Sequence, residues 1–425
     1  MATDPIHADL VICRLAQAVS SAGPDETPLR GAALSEVELL EGDVWIASQF
    51  GEIVAIGHGF DLRPRLDLTD DAVIVDAFGM VAIPGLIDCH THACFGGDRV
   101  DEFDRRTRGA TYEELHAAGG GILSTVEATR AAGLDVLTDR LARHLRWMLA
   151  QGTTSVEVKS GYGLDLHTEL DMLRAIRSAE AVGSQRLVST ALAAHAVPPE
   201  AADADAYIAQ CIDEILPEID EWGLATQADV FCERGAFDVE QSRRYLQKAK
   251  DLGLDLRLHG DQFSEIGAIE LAIELGARSI DHLEATGPAG VAALAASDVI
   301  GVMLPGASLM LDRPMAPARA LIDAGAAVAL ATDFNPGSSF TESLPLVMSL
   351  ACSRMGMNPA EALAACTVNA AAVLGIGDRV GRLRAGYQAD IALLDAPDWR
   401  YLAYHLGNPT VKHVFCDGQW ALEGS

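Results

Sequence analysis

Short apolar runs separated by glycine, proline and aspartate occupy both ends of the 425-residue chain. They are residues 9–13, 44–46, 53–56, 73–75, 389–394 and 411–415. Runs of this length, with turn residues between them, are typical of β-strands. The pattern therefore predicts a smaller β-sandwich domain that is built from both chain ends, residues 1–83 and 386–425.

Residues 84–385 show a second pattern, in which apolar runs alternate with segments of helical period. In the longest such segment, apolar residues recur at helical spacing: Leu134, Leu137, Leu141, Leu145 and Met148. The apolar runs are residues 80–87, 153–158, 187–194, 228–232, 254–258, 279–280, 299–304 and 327–331. Eight strands that alternate with helices predict a parallel (β/α)8 barrel of the TIM type.

Polar residues follow most of these predicted strands, at the end of a barrel that carries the active site. Four strands end in histidine: His90 and His92 after the first, His195 after the third, His259 after the fifth and His282 after the sixth. The eighth ends in Asp333. Residues two apart on a strand point to the same face, so His90 and His92 would project side by side.

Three imidazoles and a carboxylate suit one Zn2+ or Fe2+/Fe3+ ion, and the sequence does not choose between the metals. The candidate metal ligands are His90, His92, His259 and Asp333. A water molecule activated at such a site could hydrolyse an amide bond. His282, at the end of the neighbouring strand, could then act as a base or stabilise an oxyanion.

The formal net charge of −30 argues against nucleic acid and anionic membranes as partners. No apolar stretch reaches the length of a membrane span, and the first 17 residues lack the pattern of a signal peptide. The eight cysteines form no CxxC pair, which favours reduced thiols in a cytoplasmic protein. In this acidic chain, an anionic substrate would require a local arginine or lysine.

Six longer motifs are more specific: residues 94–99 (CFGGDR), 118–122 (AGGGI), 157–163 (EVKSGYG), 194–199 (AHAVPP), 229–234 (DVFCER) and 332–338 (TDFNPGS). With the strand-end histidines, they resemble the imidazolonepropionase family of the metal-dependent amidohydrolase superfamily. The resemblance implies a homodimeric enzyme of histidine degradation. Its small anionic substrate would be 4-imidazolone-5-propanoate, whose cyclic amide it would hydrolyse to N-formimidoyl-L-glutamate.

The resemblance also implies roles for individual residues. Arg99 would pair with the propanoate carboxylate of the substrate, as a bidentate guanidinium can. The ring or the new amide would be hydrogen-bonded by Tyr162, His195 and Gln262. The pocket beside Asp333 would be lined by Asn335, Gly337 and Ser338, the last of which is threonine in many relatives.

Gln262 stands where some members of this family have glutamate. Because an amide cannot act as a base, we expect Asp333 or His282 to carry the proton. The sequence does not choose between these two residues.

Two other functions fit many of the same residues. Another cyclic amidohydrolase or a deaminase of a heterocyclic base would use the same metal, but a deaminase acting on a neutral base would not need Arg99. A metal-free, non-catalytic barrel would not need all four candidate ligands.

Three further features have alternative interpretations. Lys159 could be a carboxylated bridging lysine, although a direct ion pair is favoured. Residues 119–121 (GGG) could cradle phosphate but fit a flexible turn better, because no GK[ST] follows them. Glu233 could orient a site residue or simply be a hydrogen-bonded strand-end acid.

Overall fold

The computed structural model describes residues 5–23, 28–109, 120–408 and 410–424. These residues contain sixteen strands: β1 Ile6–Ser21, β2 Val37–Gln49, β3 Glu52–His58, β4 Leu66–Asp76, β5 Val81–Pro84, β6 Leu86–Asp88, β7 Thr153–Lys159, β8 Arg186–Ala194, β9 Gln227–Cys232, β10 Asp255–Gly260, β11 Ser279–His282, β12 Ile300–Met303, β13 Val328–Leu330, β14 Ile391–Leu394, β15 Val411–Cys416 and β16 Gln419–Glu423. They form two sheets of eight strands each.

The predicted barrel is confirmed. Strands β6 to β13 lie side by side in chain order, and every neighbouring pair is parallel. The main helices between and after them are Val100–Thr107, Ile122–Ala150, Leu166–Val182, Ala204–Gln210, Leu216–Glu221, Val239–Asp251, Ala268–Leu275, Pro288–Ala295, Pro305–Met310, Ala318–Asp323, Leu344–Arg354, Pro359–Ala365 and Val368–Leu374. This arrangement brings the carboxyl ends of all eight strands to one rim.

The first predicted barrel strand, residues 80–87, is two strands in the structure. β5 belongs to the sheet of the chain ends, where it pairs with β1 and β14, and β6 begins the barrel. Between them, the Gly85 backbone N–H donates to the Asp390 carbonyl oxygen, and a Cβ at Gly85 would overlap the Thr154 side chain. The apolar run is continuous because both short strands are fully buried.

The strands of the two chain ends form one mixed sheet, as the prediction of a composite β-domain requires. Its order is β16-β15-β14-β5-β1-β2-β3, and β4 pairs with β1 outside this path. Most neighbouring strands in this sheet are antiparallel, and only β5 and β4 run parallel to β1, so its strand ends do not gather at one rim. The proposed limits at residues 83 and 386 stay a prediction.

The long helix Ile122–Ala150 contains the predicted helical stripe, and Leu137, Leu141 and Met148 are buried. The helix kinks at Gly133, whose φ of 71° lies in the region that glycine adopts most readily. Within the described residues, no helix is both long enough and apolar enough to cross a membrane.

The barrel closes where the carboxyl ends of β6 and β13 meet. The Asp88 carboxylate accepts hydrogen bonds from the backbone N–H and the hydroxyl of Thr332, at 3.1 and 2.6 Å. Beyond the strands, the Asp333 N–H donates to the His90 carbonyl oxygen at 3.1 Å, and the His92 N–H donates to the Phe334 carbonyl oxygen at 3.0 Å. This seam places the first and eighth strand ends side by side.

Candidate active site

Three imidazoles meet at the rim, as predicted from the strand ends. One ring nitrogen from each of His90, His92 and His259 lies within 4.8 Å of those from the other two. The Nε2 atoms of His92 and His259 are 3.3 Å apart. All three residues are buried. His90 and His92 follow β6, whereas His259 lies at the end of β10, so the curvature of the barrel brings them together.

Asp333 and His282 lie beside this group. The Asp333 Oδ1 atom is 3.7 Å from Nε2 of His90 and 3.5 Å from Nε2 of His92. The His282 ring centroid is 5.3 Å from that of His259 and 5.7 Å from that of His90. Asp333 and His282 have positive φ angles, 51° and 92°, which strain the backbone of residues that have a Cβ. The four candidate ligands and the candidate base therefore share one small region.

Burial shifts the pKa values of these groups. It lowers the pKa of His259 to about 4, and it holds those of His90 and His92 well below the ordinary value. It raises the pKa of the Asp333 carboxyl to about 7. Burial also acts to lower the pKa of His282, but the nearby carboxylates of Glu284 and Asp333 outweigh it, so this pKa is raised. Three neutral imidazoles therefore face a carboxyl group that exchanges its proton near neutral pH.

The unsatisfied polar atoms of the site fit a metal ion. His90 Nε2 is buried and has no hydrogen-bond partner among the described residues, whereas its Nδ1–H donates to Asp281 at 2.6 Å. His259 likewise donates from Nδ1 to Asp229 at 3.0 Å, which leaves its Nε2 lone pair facing the cluster. A histidine whose second nitrogen is fixed by a carboxylate is the usual form of a metal-binding histidine. The donor set suits a divalent cation such as zinc or iron.

The loop after β13 carries three of the predicted pocket residues. The Asn335 amide donates to the Asp333 carbonyl oxygen at 2.7 Å, and its side-chain oxygen accepts from the N–H groups of Gly337 and Ser338, both at 2.8 Å. The Arg99 guanidinium lies against Gly337, where an added Cβ would clash with it. Asn335 thus orders the loop that carries Asp333 and that contacts Arg99 through Gly337.

Arg99 has a partner in the protein. Its Nε and Nη2 atoms donate to one oxygen of Glu102 at 3.0 and 2.8 Å, and its side chain is 18% exposed. This contact occupies one edge of the guanidinium, and Nη1 is the atom that lies against Gly337. Among the described residues, Nη1 donates no hydrogen bond.

Tyr162 and His195 lie on the opposite side of His92 from the seam. The His195 ring stacks on that of His92 at a centroid distance of 4.9 Å, and its Nδ1 donates to the Gly161 carbonyl oxygen at 2.9 Å. The Tyr162 ring is 5.8 Å from that of His92. Gln262 is buried two residues beyond the end of β10. The structure thus places the Tyr162 and His195 rings beside His92.

Sequence reasoning missed the residues that hold the site in place. Asp281 and Asp229 orient His90 and His259, and the Glu169 carboxylate accepts from the backbone N–H groups of Gly161, Gly163 and Leu164 around Tyr162. One signal was present in the sequence. Charged residues at alternate positions inside apolar strands, such as Glu157 and Lys159 in TTSVEVK, indicate a charged barrel interior.

The structure shows the contacts of Lys159 and Glu233, whose roles the sequence left open. Lys159 donates to Glu157 and Asp229, as an ion pair. Glu233 accepts from the N–H groups of Phe263 and Ser264 and so anchors the loop next to Gln262. The glycine motif at residues 118–122 lies partly outside the described residues.

Comparison with known proteins identifies the family. Residues 81–421 match the model of the Amidohydrolase family. The imidazolonepropionase of Rubrobacter xylanophilus is 54% identical over 409 residues, which are 96% of this chain and 97% of that one. The imidazolonepropionase of Chloroflexus aggregans is 48% identical over 422 residues, 97% of this chain and 98% of that one.

Solved structures agree on the fold. E. coli guanine deaminase matches with a TM-score of 0.75 at 14% identity, over 98% of this chain and 99% of that one. A triazine hydrolase variant matches with a TM-score of 0.73 at 20% identity, over 98% of this chain and 95% of that one. These identities are low, so the likeness concerns architecture alone. With the identities and coverage of its relatives, the chain belongs to the imidazolonepropionase family of amidohydrolases.

Proposed function

We propose that this protein is a hydrolase of histidine degradation that opens the cyclic amide of 4-imidazolone-5-propanoate to give N-formimidoyl-L-glutamate. The relatives named imidazolonepropionase support this reaction. The observation that carries the proposal is that three neutral imidazoles and the Asp333 carboxyl lie together at one rim of the barrel. The loop that carries Asp333 also contacts Arg99 through Gly337.

One divalent metal, zinc or iron, would be held by the four converging side chains: His90, His92, His259 and Asp333. The neutral state of the three imidazoles supports this assignment, because a protonated imidazole has no lone pair to donate. When bound, such a cation supplies Lewis acidity, which lowers the pKa of a water molecule and polarises a carbonyl group.

Asp333 and His282 would handle the protons. In the ring opening, a bond forms between the water oxygen and the carbonyl carbon, and the ring C–N bond breaks. One proton must therefore leave the water, and one must reach the departing nitrogen. A carboxylate beside the reacting atoms can accept the first proton and pass it to the departing nitrogen. His282, whose pKa is raised, can donate a hydrogen bond to the developing oxyanion.

Arg99 would determine which substrates bind. Its Nη1 side can take the propanoate carboxylate, and Gly337 lets the guanidinium lie in this position because it has no side chain. Tyr162, His195 and Gln262 would hydrogen-bond the ring, and Asn335, Gly337 and Ser338 would line the pocket floor. Gln262 can orient the substrate but cannot accept a proton.

The test compares three substrates with the purified, metal-loaded protein. We expect rapid turnover of 4-imidazolone-5-propanoate, a large rise in KM for the analogue whose carboxylate is an uncharged amide, and negligible deamination of guanine. The Arg99→Ala variant should remove most of the difference between the acid and the amide. Faster turnover of guanine than of the imidazolone would contradict the proposal.

We further propose a cytoplasmic homodimer without nucleic-acid or membrane partners. The net charge of −30 supports the exclusion of nucleic acid and anionic membranes, and the mostly buried, unpaired cysteines of the described chain support the cytoplasmic location. The homodimer rests on the resemblance to the family alone. Light scattering on the purified protein should give a mass near twice 44.9 kDa. A mass of one chain would contradict the dimer but not the chemistry.

A further inference from the structure

Five charged side chains form a chain of contacts in the barrel interior, beneath the three imidazoles. They are Glu157 and Lys159 on β7, Asp229 on β9, Arg257 on β10 and Asp281 on β11. We call them the buried charge network. Each of the five residues has 0% exposure.

One half of this network leads to His259. Lys159 Nζ donates to Glu157 Oε1 at 2.7 Å and to Asp229 Oδ2 at 2.8 Å. The other oxygen of Asp229 accepts from His259 Nδ1 at 3.0 Å and from the His259 backbone N–H at 3.1 Å. Asp229 is therefore held between a fixed ammonium group and the imidazole.

The other half leads to His90. Arg257 Nη2 donates to Asp281 Oδ2 at 2.6 Å, and the same oxygen accepts from His90 Nδ1 at 2.6 Å. Arg257 Nη1 is 3.3 Å from Glu157 Oε1, the atom that Lys159 also contacts. The second oxygen of Glu157 accepts from the backbone N–H of Thr91 at 3.0 Å. Glu157 thus joins the two halves and also holds the residue between His90 and His92.

Stability alone does not account for this arrangement. The interior layers of such barrels are normally filled by branched apolar side chains. Taking charges out of water is costly, and a buried ion pair is often no more stable than apolar residues of the same volume. The network holds three acidic and two basic side chains, so it keeps one excess negative charge next to the imidazoles.

We propose that Lys159, Glu157 and Arg257 are positioning residues that fix His90 and His259 relative to each other through Asp281 and Asp229. The proposal rests on the proposed function only in that it takes the histidines as metal ligands. By holding both rings from behind, the network keeps their free nitrogens at binding separation before a cation arrives. Outer partners of this kind typically change metal affinity by about 10- to 100-fold.

Three variants of the full chain separate positioning from simple structural support. Lys159→Met removes the ammonium group. Lys159→Met combined with Glu157→Gln also removes one acidic charge, which restores the charge balance while leaving Asp229 without its partner. Arg257→Lys keeps every charge but loses the planar guanidinium. The control is Arg186→Met, which removes a partner of the buried Asp390 at the border of the two sheets, away from the imidazoles.

Two quantities are measured for each protein: Zn2+ affinity by competition with a chelator, and the melting temperature of the metal-free form. We expect all three network variants to bind Zn2+ about tenfold more weakly or worse. Arg186→Met should lower the melting temperature without changing the affinity. Conservation of charge in Arg257→Lys should leave its melting temperature closest to that of wild type.

Network variants that lose melting temperature but keep Zn2+ affinity within about twofold would overturn the proposal, since the network would then serve only the fold. So would the failure of all three to fold. Wild-type protein that binds no Zn2+ or Fe2+ would instead refute the proposed function. Because the wild type is measured alongside, the two failures can be told apart.

Discussion

Two ion pairs of nearly equal length, one in each sheet, differ in their exposure to solvent. Lys159 and Asp229, in the barrel, are 2.8 Å apart and both 0% exposed. Arg14 and Asp76, in the sheet of the chain ends, are 2.7 Å apart, but their side chains are 49% and 56% exposed. Water screens the second pair and solvates each partner when the other is removed, whereas the barrel pair has no such substitute. The cost of removing one partner of an ion pair therefore depends on burial rather than on the distance between the charges.

The direction of the strands extends this contrast. All eight barrel strands point the same way, so their final residues gather at one rim. The other sheet mixes directions, so its strand ends lie apart, and its charged pair Arg14–Asp76 faces solvent. Substitutions at the rim should therefore change catalysis, whereas equivalent substitutions in the mixed sheet should change little.

The largest effect is expected for Asp333→Asn. The amide cannot carry the proton, so kcat should fall by about a thousandfold or more. The melting temperature should stay within a few degrees, because Asn has nearly the same size. Asp76→Asn, at the exposed pair, is the matched control and should keep full turnover. A rate near that of wild type for Asp333→Asn would remove Asp333 from the chemistry.

Arg99→Ala should come second. Loss of a hydrogen-bonded charge contact of about 1.5–3 kcal/mol should raise KM by roughly 10- to 100-fold, with a much smaller change in kcat. Steady-state kinetics with 4-imidazolone-5-propanoate measure both. An unchanged KM would mean that the carboxylate binds elsewhere.

Glu169→Gln replaces a buried carboxylate by an uncharged amide of the same size. The carboxylate accepts hydrogen bonds from three backbone N–H groups around Tyr162. In glutamine, an NH2 group would replace one carboxylate oxygen, and it cannot accept a hydrogen bond from a backbone N–H. We expect the free energy of unfolding to fall by about 2 kcal/mol. Glu180, on the same helix, is exposed and accepts one backbone N–H, from Leu187 at 3.2 Å.

Denaturant titration should therefore show a smaller loss for Glu180→Gln than for Glu169→Gln. Equal losses would show that burial does not govern these anchors.

The smallest effect is expected for Arg14→Met. An exposed pair contributes about 0.2–1 kcal/mol, so the free energy of unfolding should change by less than about 1 kcal/mol. Turnover should be unaffected. A loss of unfolding free energy as large as that of Glu169→Gln would contradict the conclusion that exposed charged contacts contribute less than buried ones.

The sequence predicts the barrel and its rim well because both depend on local patterns. Apolar runs mark the strands, and the residue after each run lies at the rim, so His259 and Asp333 could be found without coordinates. The sequence does not show that residues 80–87 are two strands, because burial makes both halves apolar. Nor does it show the contacts of Arg257 with Glu157 and Asp281, which join residues on different strands and arise only when the barrel closes.

The most direct test of the account measures metal content and turnover of 4-imidazolone-5-propanoate on the same sample. The measurement is made before chelation, after chelation and after metal is added back. We predict about one zinc or iron ion per chain, a parallel loss of metal and turnover, and recovery of both. A metal-free protein that hydrolyses the substrate at an undiminished rate would contradict it.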